Sequence, residues 1–438
     1  MFGHLASTSK EFVATAAGLV DDAKDLVAET AELLDSGHLV DEAKIRGLQV
    51  GAMIKPPPVP ETLTGPLSSA RLGEQIVASG AKKVMVVTTA GLKSRGTLDP
   101  LLDALSTGGV QSVIFEDVVP DPGFEVVMSG VALYRESGAQ AVVAIGGGSA
   151  IDAAKAMVAC YSNNKEPKEL VGMLKVRRQD VPFYAVPTTA GTGSEVTVAA
   201  VVTDTEKGAK YGIVSLKIVP SVVALDPTLM VTLPPAITAA TGLDALTHAV
   251  ESFVSPIATG DSRRLSLKAA KTITEKLPLA YVDGTDLEVR EELAVASMDA
   301  GLAFTRAGVG YVHAISHQLG GMYHMVHGEA NAILMPHVME FYLPKASSQL
   351  AQLAVDVGVA DPQEDEAVAA AAFIQKLRDL NRELGIPTYA APLLAKDIPE
   401  IAKRALAEAD GSYPVPRYMD QQQCEELLAK ILPPEPSA

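Results

Sequence analysis

Cysteine is almost missing from this 438-residue chain, which holds two, Cys160 and Cys424. Two thiols cannot build a disulfide framework, so the sequence reads as one made for a reducing compartment. No unbroken apolar run is long enough to cross a bilayer, although 48% of the residues are hydrophobic. The opening stretch, MFGHLASTSKEFVATAAGLVDDAKDLVAET, lacks a basic region ahead of a clean apolar core and is too acidic for a mitochondrial presequence. A cytoplasmic protein is the expectation. Basic residues are also in deficit, with 36 Lys and Arg against 53 Asp and Glu and a formal charge of −17. Long-range repulsion of that sign opposes nucleic acid and anionic membrane as partners. It leaves room for a phosphorylated cofactor, because helix N-termini and backbone N–H groups hold phosphate locally.

Histidine is scarce too, yet five of the eight lie between His313 and His337, in HAISHQLGGMYHMVHGEANAILMPH. A structural account must explain each imidazole separately, whereas one bound cation explains several at once. Asp244 and His248, in GLDALTHAVES, are four apart and share a helical face, and so do His313 and His317. His327 lies 14 residues beyond His313, roughly 21 Å along an unbroken helix. The Gly320-Gly321 pair is expected to interrupt that helix and let the chain return His327 to the site. Asp244, His248, His313 and His327 then form a carboxylate-plus-three-imidazole set, suited to Fe(II) or Zn(II) better than Mg or Ca. A lone helical histidine is usually packing or surface, and two four-spaced pairs plus a third element shift that balance. His317 is left free near the ion, available for proton traffic or cofactor contact. His324 is expected at the surface or behind the ligands, and His337 as a hydrogen-bonded core residue.

At this length two domains are the default expectation. Residues from Phe12 to Leu34 place apolar side chains at helical spacing, which predicts an N-terminal amphipathic helix within an extension covering residues 1–45. From residue 46 to 228, apolar runs such as KVMVVTT, SVIFEDV, AVVAIGGG, FYAVPTT and SVVALDP alternate with helical stretches, the pattern of a parallel α/β sheet. Residues 229–438 read as all-helical, with Thr232 as the expected N-cap of the first long helix.

Two loops at strand ends suggest a dinucleotide. Gly146, Gly147 and Gly148 follow the third run and open a helix, so no Cβ keeps a pyrophosphate from the backbone. Ser149 and Asp152 have the spacing of a capping box, which accounts for Asp152 by itself. In VPTTAGTGSEVT, Thr188 and Thr189 offer hydroxyls and Gly191 and Gly193 permit close approach.

Together, GGGSAIDAAK, PTTAGTGSEVT, GLDALTHAVES and HAISHQLGG…HGEANAILMPHV resemble the iron-dependent (group III) alcohol dehydrogenase family, from about residue 55 to the C-terminus. The resemblance implies a Rossmann-like half, an all-helical half of the dehydroquinate synthase-like kind, and an active site in the cleft between them. It implies the same four metal ligands, a pyrophosphate loop at Gly147, Gly148 and Ser149, cofactor contacts at Thr88, Thr89, Thr188, Thr189 and Lys210, and a homodimer. The implied reaction is hydride transfer between a small alcohol or aldehyde and NAD or NADP, with Fe2+ or Zn2+ as Lewis acid and His317 as proton carrier. Polyol or hydroxyacid oxidation and transhydrogenation are alternatives on the same scaffold, and zinc-dependent hydrolysis is a more distant one. Three departures stand out. Thr89 replaces the aspartate of many NAD-preferring members, with Lys93 and Arg95 nearby as phosphate partners. Asp121 stands where asparagine is common. His324 and Val326 occupy a segment that usually has proline before the last ligand. Phe253, Phe304 and Met322 are candidate pocket residues.

Overall fold

Branched aliphatic runs without a polar break suit strands covered on both faces, and here they form the middle of a sheet. The computed structural model describes residues 57–434 apart from Gly208 and Gly411. The expected N-terminal helix lies outside those residues. Six strands form a parallel sheet in the order β1-β9-β6-β4-β2-β3: β1 (Glu61–Thr64), β2 (Lys83–Val87), β3 (Gln111–Phe115), β4 (Ala141–Gly146), β6 (Phe183–Pro187) and β9 (Val222–Leu225). The five apolar runs are the last five of these. The central β4 is buried along its whole length, whereas the edge strand β3 exposes Gln111 and Ser112. A second sheet went unread in the sequence: β5 (Gly172–Met173), β7 (Ala199–Asp204) and β8 (Ala209–Val214), with β7 and β8 antiparallel. β5 has only two residues, and β7 and β8 mix Ala, Gly, Thr and charged residues with aliphatics, which hides them from an apolar-run criterion.

Helices α1 (Ser68–Ala78), α2 (Ala90–Ser94), α3 (Asp99–Thr107), α4 (Phe124–Ser137), α5 (Gly148–Asn163) and α6 (Pro167–Leu170) accompany the strands. Successive strands β2 and β3 move toward one edge, and the chain then crosses to β4 on the other side of β2. That reversal opens a crevice beyond the carboxyl ends of β2 and β4, the usual ligand position in open α/β sheets.

Beyond β9 the described chain is helical: α7 (Pro235–Val254), α8 (Gly260–Val282), α9 (Leu287–Ala307), α10 (Tyr311–Tyr323), α11 (His327–Asp356), α12 (Glu366–Glu383), α13 (Ile398–Ala409) and α14 (Gln421–Ala429). Pro234, and not Thr232, occupies the cap position of α7, where a fixed φ and a missing N–H are tolerated. From Leu243 to Val254 every residue of α7 is buried, so this helix is the axis of the second core. The Gly320-Gly321 pair does not break the chain; both residues lie inside α10. The reversal comes three residues later, where His324 takes a left-handed conformation (φ 56°) and Met325 and Val326 lead into α11.

Gly328 explains how closely α11 returns. A Cβ there would lie 1.9 Å from the Ala240 carbonyl oxygen of α7, so the two helices meet backbone to backbone. Gly328→Ala is expected to destabilise the protein by about 1–3 kcal/mol through overpacking, measured by urea unfolding, with the larger loss if α11 cannot shift.

Candidate active site

Asp244, His248 and His313 place one ligand atom each within 4.8 Å of one another, and His327, from a third helix, reaches the same Asp244 oxygen. Asp244 and His248 project from α7, His313 from the first turn of α10, and His327 begins α11. One oxygen, Asp244 Oδ1, faces all three imidazoles: 3.5 Å from His327 Nε2, 3.8 Å from His313 Nε2 and 4.0 Å from His248 Nε2. Donors around one first-row cation, each about 2.0–2.2 Å from it, stand this far apart. Asp244, His248 and His313 are buried, while His327 closes the mouth with its side chain 36% exposed. Burial lowers the pKa of His248 and, well below the ordinary value, that of His313, which favours neutral rings with a lone pair for an ion. Among the described residues, the ionic neighbours of the buried Asp244 are these imidazoles. A buried carboxylate beside three imidazoles is a donor set that fits a divalent cation.

Glu251, one turn beyond His248 on α7, sets the orientation of His313. Its buried carboxylate accepts from the backbone N–H of Gly310 and of Val312, each at 2.8 Å, and lies 2.6 Å from His313 Nδ1. The proton on Nδ1 leaves Nε2 to face Asp244. Burial pushes Glu251 up to about 7, against the pull of those backbone donors. Gly310 is required here, because a Cβ would stand 2.8 Å from Glu251 Oε1. The sequence carried the signal: Glu251 sits seven residues after Asp244, on the same helical face.

His317 stacks on His327, with ring centroids 5.2 Å apart, and its Nδ1 lies 2.6 Å from Glu408 Oε1. Glu408, near the end of α13, also accepts from Gln318 and Tyr413, each at 2.7 Å. Burial raises its pKa, but the hydrogen bonds from His317, Tyr413 and Gln318 outweigh this and hold it below the ordinary value. Burial, and then the Glu408 charge, raises Tyr413 well above 10, which keeps it a donor. Neither residue was singled out from the sequence, because 91 positions separate His317 from Glu408. Phe304 stacks on His248 at 4.2 Å and Met322 is half-buried, whereas Phe253 is wholly buried in the core and does not line the site. His324 is exposed, and His337 is half-buried, 3.7 Å from Glu340 and not within the core.

The sheet edge supplies the other wall. Thr88, just after β2, has a buried hydroxyl with no partner, and Thr89 caps α2 by accepting from Leu92 N at 3.3 Å. Gly147 caps α5 without a side-chain acceptor. A Cβ on Gly148 would stand 2.7 Å from Thr192 Cγ2, and one on Gly147 would touch Thr189 Oγ1 at 3.4 Å, so the two loops face each other closely and Gly148 has no room for a side chain. Ser149 and Thr189 are half-buried beside it, and Thr188 is buried with its N–H on the Gly146 carbonyl. An uncapped helix N-terminus, a glycine cradle and an orphan hydroxyl fit a pyrophosphate-bearing ligand. Lys210 projects from β8 and pairs with Asp121 at 2.6 Å, while Lys93 pairs with Glu116 at 2.9 Å. Asp121, with φ 54°, adopts a left-handed conformation that Asp and Asn tolerate.

Asp152 is not a cap. Its carboxylate accepts from Ser194 Oγ and from Val201 N, the latter at 2.9 Å, and so ties α5 to the second loop. Lys155, fully buried on the same helix, donates to the Thr197 carbonyl and hydroxyl (2.8 and 2.9 Å) and to the Ala199 carbonyl (2.8 Å). Burial brings its pKa down to about 8, against the opposing charges of Asp152 and Glu195. The second loop in turn abuts the helical half. A Cβ on Gly193 would stand 2.7 Å from Gly301 Cα of α9, one on Gly191 2.7 Å from Thr241 Cβ of α7, and the Gly191 backbone reaches His248. The glycine-lined edge therefore faces the Asp244 cluster.

Residues 59–227 match the family model described as iron-containing alcohol dehydrogenase, and residues 238–432 match that for the C-terminal part of the Fe-containing alcohol dehydrogenase family. The NAD-dependent methanol dehydrogenase of Bacillus methanolicus is 38% identical over 85% of this chain and 98% of its own length. The 1,3-propanediol dehydrogenase of Klebsiella pneumoniae is 37% identical over 83% and 95%. A crystal structure of 1,3-propanediol oxidoreductase superposes with a TM-score of 0.83 at 36% identity, covering 85% of this chain and 98% of that one.

Replacing Lys155 by Met, which leaves the Thr197 and Ala199 carbonyls without their donor, is expected to destabilise the fold by about 2–3 kcal/mol in urea titration. Because the loop it anchors forms half of the cradle, dinucleotide affinity measured by calorimetry should fall with it.

Proposed function

Because the chain belongs to the iron-containing alcohol dehydrogenase family, we propose that it interconverts a small primary alcohol and its aldehyde with NAD as hydride carrier and Fe2+ as metal. The observation that carries this reading is one buried oxygen of Asp244 facing three imidazole nitrogens at 3.5–4.0 Å, across from a glycine-lined sheet edge. Asp244, His248, His313 and His327 would hold the cation, and Zn2+ has the same donor preferences. When bound, the cation acts as a Lewis acid toward the substrate oxygen and the nicotinamide accepts or returns hydride. Gly147, Gly148 and Ser149, with the first turn of α5, receive the pyrophosphate, and Thr88, Thr188 and Thr189 offer hydroxyls along the rest of the cofactor. Lys93 and Lys210 are each engaged by a carboxylate, which weakens both as partners for a 2′-phosphate and favours NAD over NADP. His317 carries the proton, with Glu408 fixing its Nδ1 and leaving Nε2 to exchange with substrate-side groups. A cytoplasmic homodimer is part of the same reading; no described helix is long and apolar enough to cross a membrane.

Elemental analysis of purified protein, paired with steady-state assays using NAD and NADP over short alcohols, diols, 2-hydroxy acids and aldehydes, tests the proposal directly. Turnover with free NAD and a primary alcohol is expected, and full activity in a verified metal-free sample would defeat it. His313→Ala should lose metal and turnover together yet retain NAD binding. Glu408→Gln, acting through His317, should lower kcat by about 10-fold with KM little changed, within what a positioned acid–base group contributes.

A further inference from the structure

Asn331 lies one turn after His327 on α11, wholly buried and outside the ligand set. Its Nδ2 donates to Asp244 Oδ1 at 2.8 Å, the same oxygen that faces the three imidazoles. The same nitrogen lies 3.2 Å from His327 Nε2 and 3.5 Å from His313 Nε2. Its Oδ1 is buried and has no hydrogen-bond partner. A residue kept only to fill space would be apolar, since an isosteric Leu leaves no orphan carbonyl in the core.

We propose that Asn331 is a positioning residue for the metal, selecting which oxygen of Asp244 faces the imidazoles and restraining that carboxylate by donating to it. Asp244 has two equivalent oxygens and a rotatable side chain. A donor on one of them, reached from a different helix, removes that freedom. The amide is neutral, so it provides this restraint without the repulsion a second cation beside the ion would bring. Asn331 also couples the placement of His327 to that of Asp244, because one rigid turn of α11 carries both His327 and the donor. This inference rests on the metal-dependent reading above and adds a residue through which the ligand geometry is set.

The test uses full-length protein stripped with a chelator and titrated with Zn2+ alone against a chromophoric competitor. Wild-type protein that takes up no Zn2+ would remove the metal reading itself. With wild-type uptake in place, Asn331→Leu is expected to weaken Zn2+ binding 10–100-fold, the usual effect of losing a partner behind a ligand, while NAD affinity stays unchanged and the stripped protein still folds, with a lower thermal midpoint because Asp244 loses its donor. Asn331→Ala removes the amide without adding bulk and serves if the Leu variant does not fold. Because the effect passes through Asp244, replacing Asn331 in an Asp244→Ala background should change the residual affinity less than twofold. Wild-type Zn2+ affinity in both Asn331 variants, or an equal loss in both backgrounds, overturns the proposal.

Discussion

A carboxylate taken out of water must be answered by something, and in the helical half the buried Asp244 has one side-chain donor among the described residues, the Asn331 amide, while three imidazole nitrogens face the same oxygen, a set that a cation would complete. Most of the local architecture serves that requirement. Gly328 lets α11 approach the backbone of α7, and this brings His327 and Asn331 within reach of Asp244. Glu251 holds the His313 ring in the tautomer that points Nε2 inward, and Gly310 makes room for Glu251. Two buried acids on one helix thus have separate tasks, one facing the ion site and one facing a histidine from behind.

The sheet half is organised by a different constraint, the need to present two loops side by side. Strand order places the reversal between β2 and β4, and Lys155 and Asp152 lash α5 to the segment that follows β6. The second glycine loop meets the helical half at close approaches of Gly191 to Thr241 and of Gly193 to Gly301. That makes the spacing between them a property of the fold.

Much of this was written in local pattern. The apolar runs marked the central strands, the fourfold spacing put Asp244 with His248, and glycines after β4 marked the cradle. What stayed hidden depends on contacts between distant positions. Asn331 and Glu408 reach their partners across 87 and 91 residues, and no periodicity announces either. Asp152 was misread because a capping spacing and a tertiary anchor look alike until the neighbouring loop is seen. The Gly320-Gly321 pair misled for a related reason: glycine permits a turn without demanding one, and α10 continues until His324 adopts the left-handed conformation.

The meeting of Gly193 with Gly301 has a mechanical consequence. With no side chain on either partner, that contact has no rotamers to rearrange, so the two backbones cannot slide past each other by repacking. A side chain on either residue would push the second loop away from the helical half. The closeness of the two halves at this point is thus set by two missing side chains, and it fixes how near the glycine loop stands to His248 and the helices behind it.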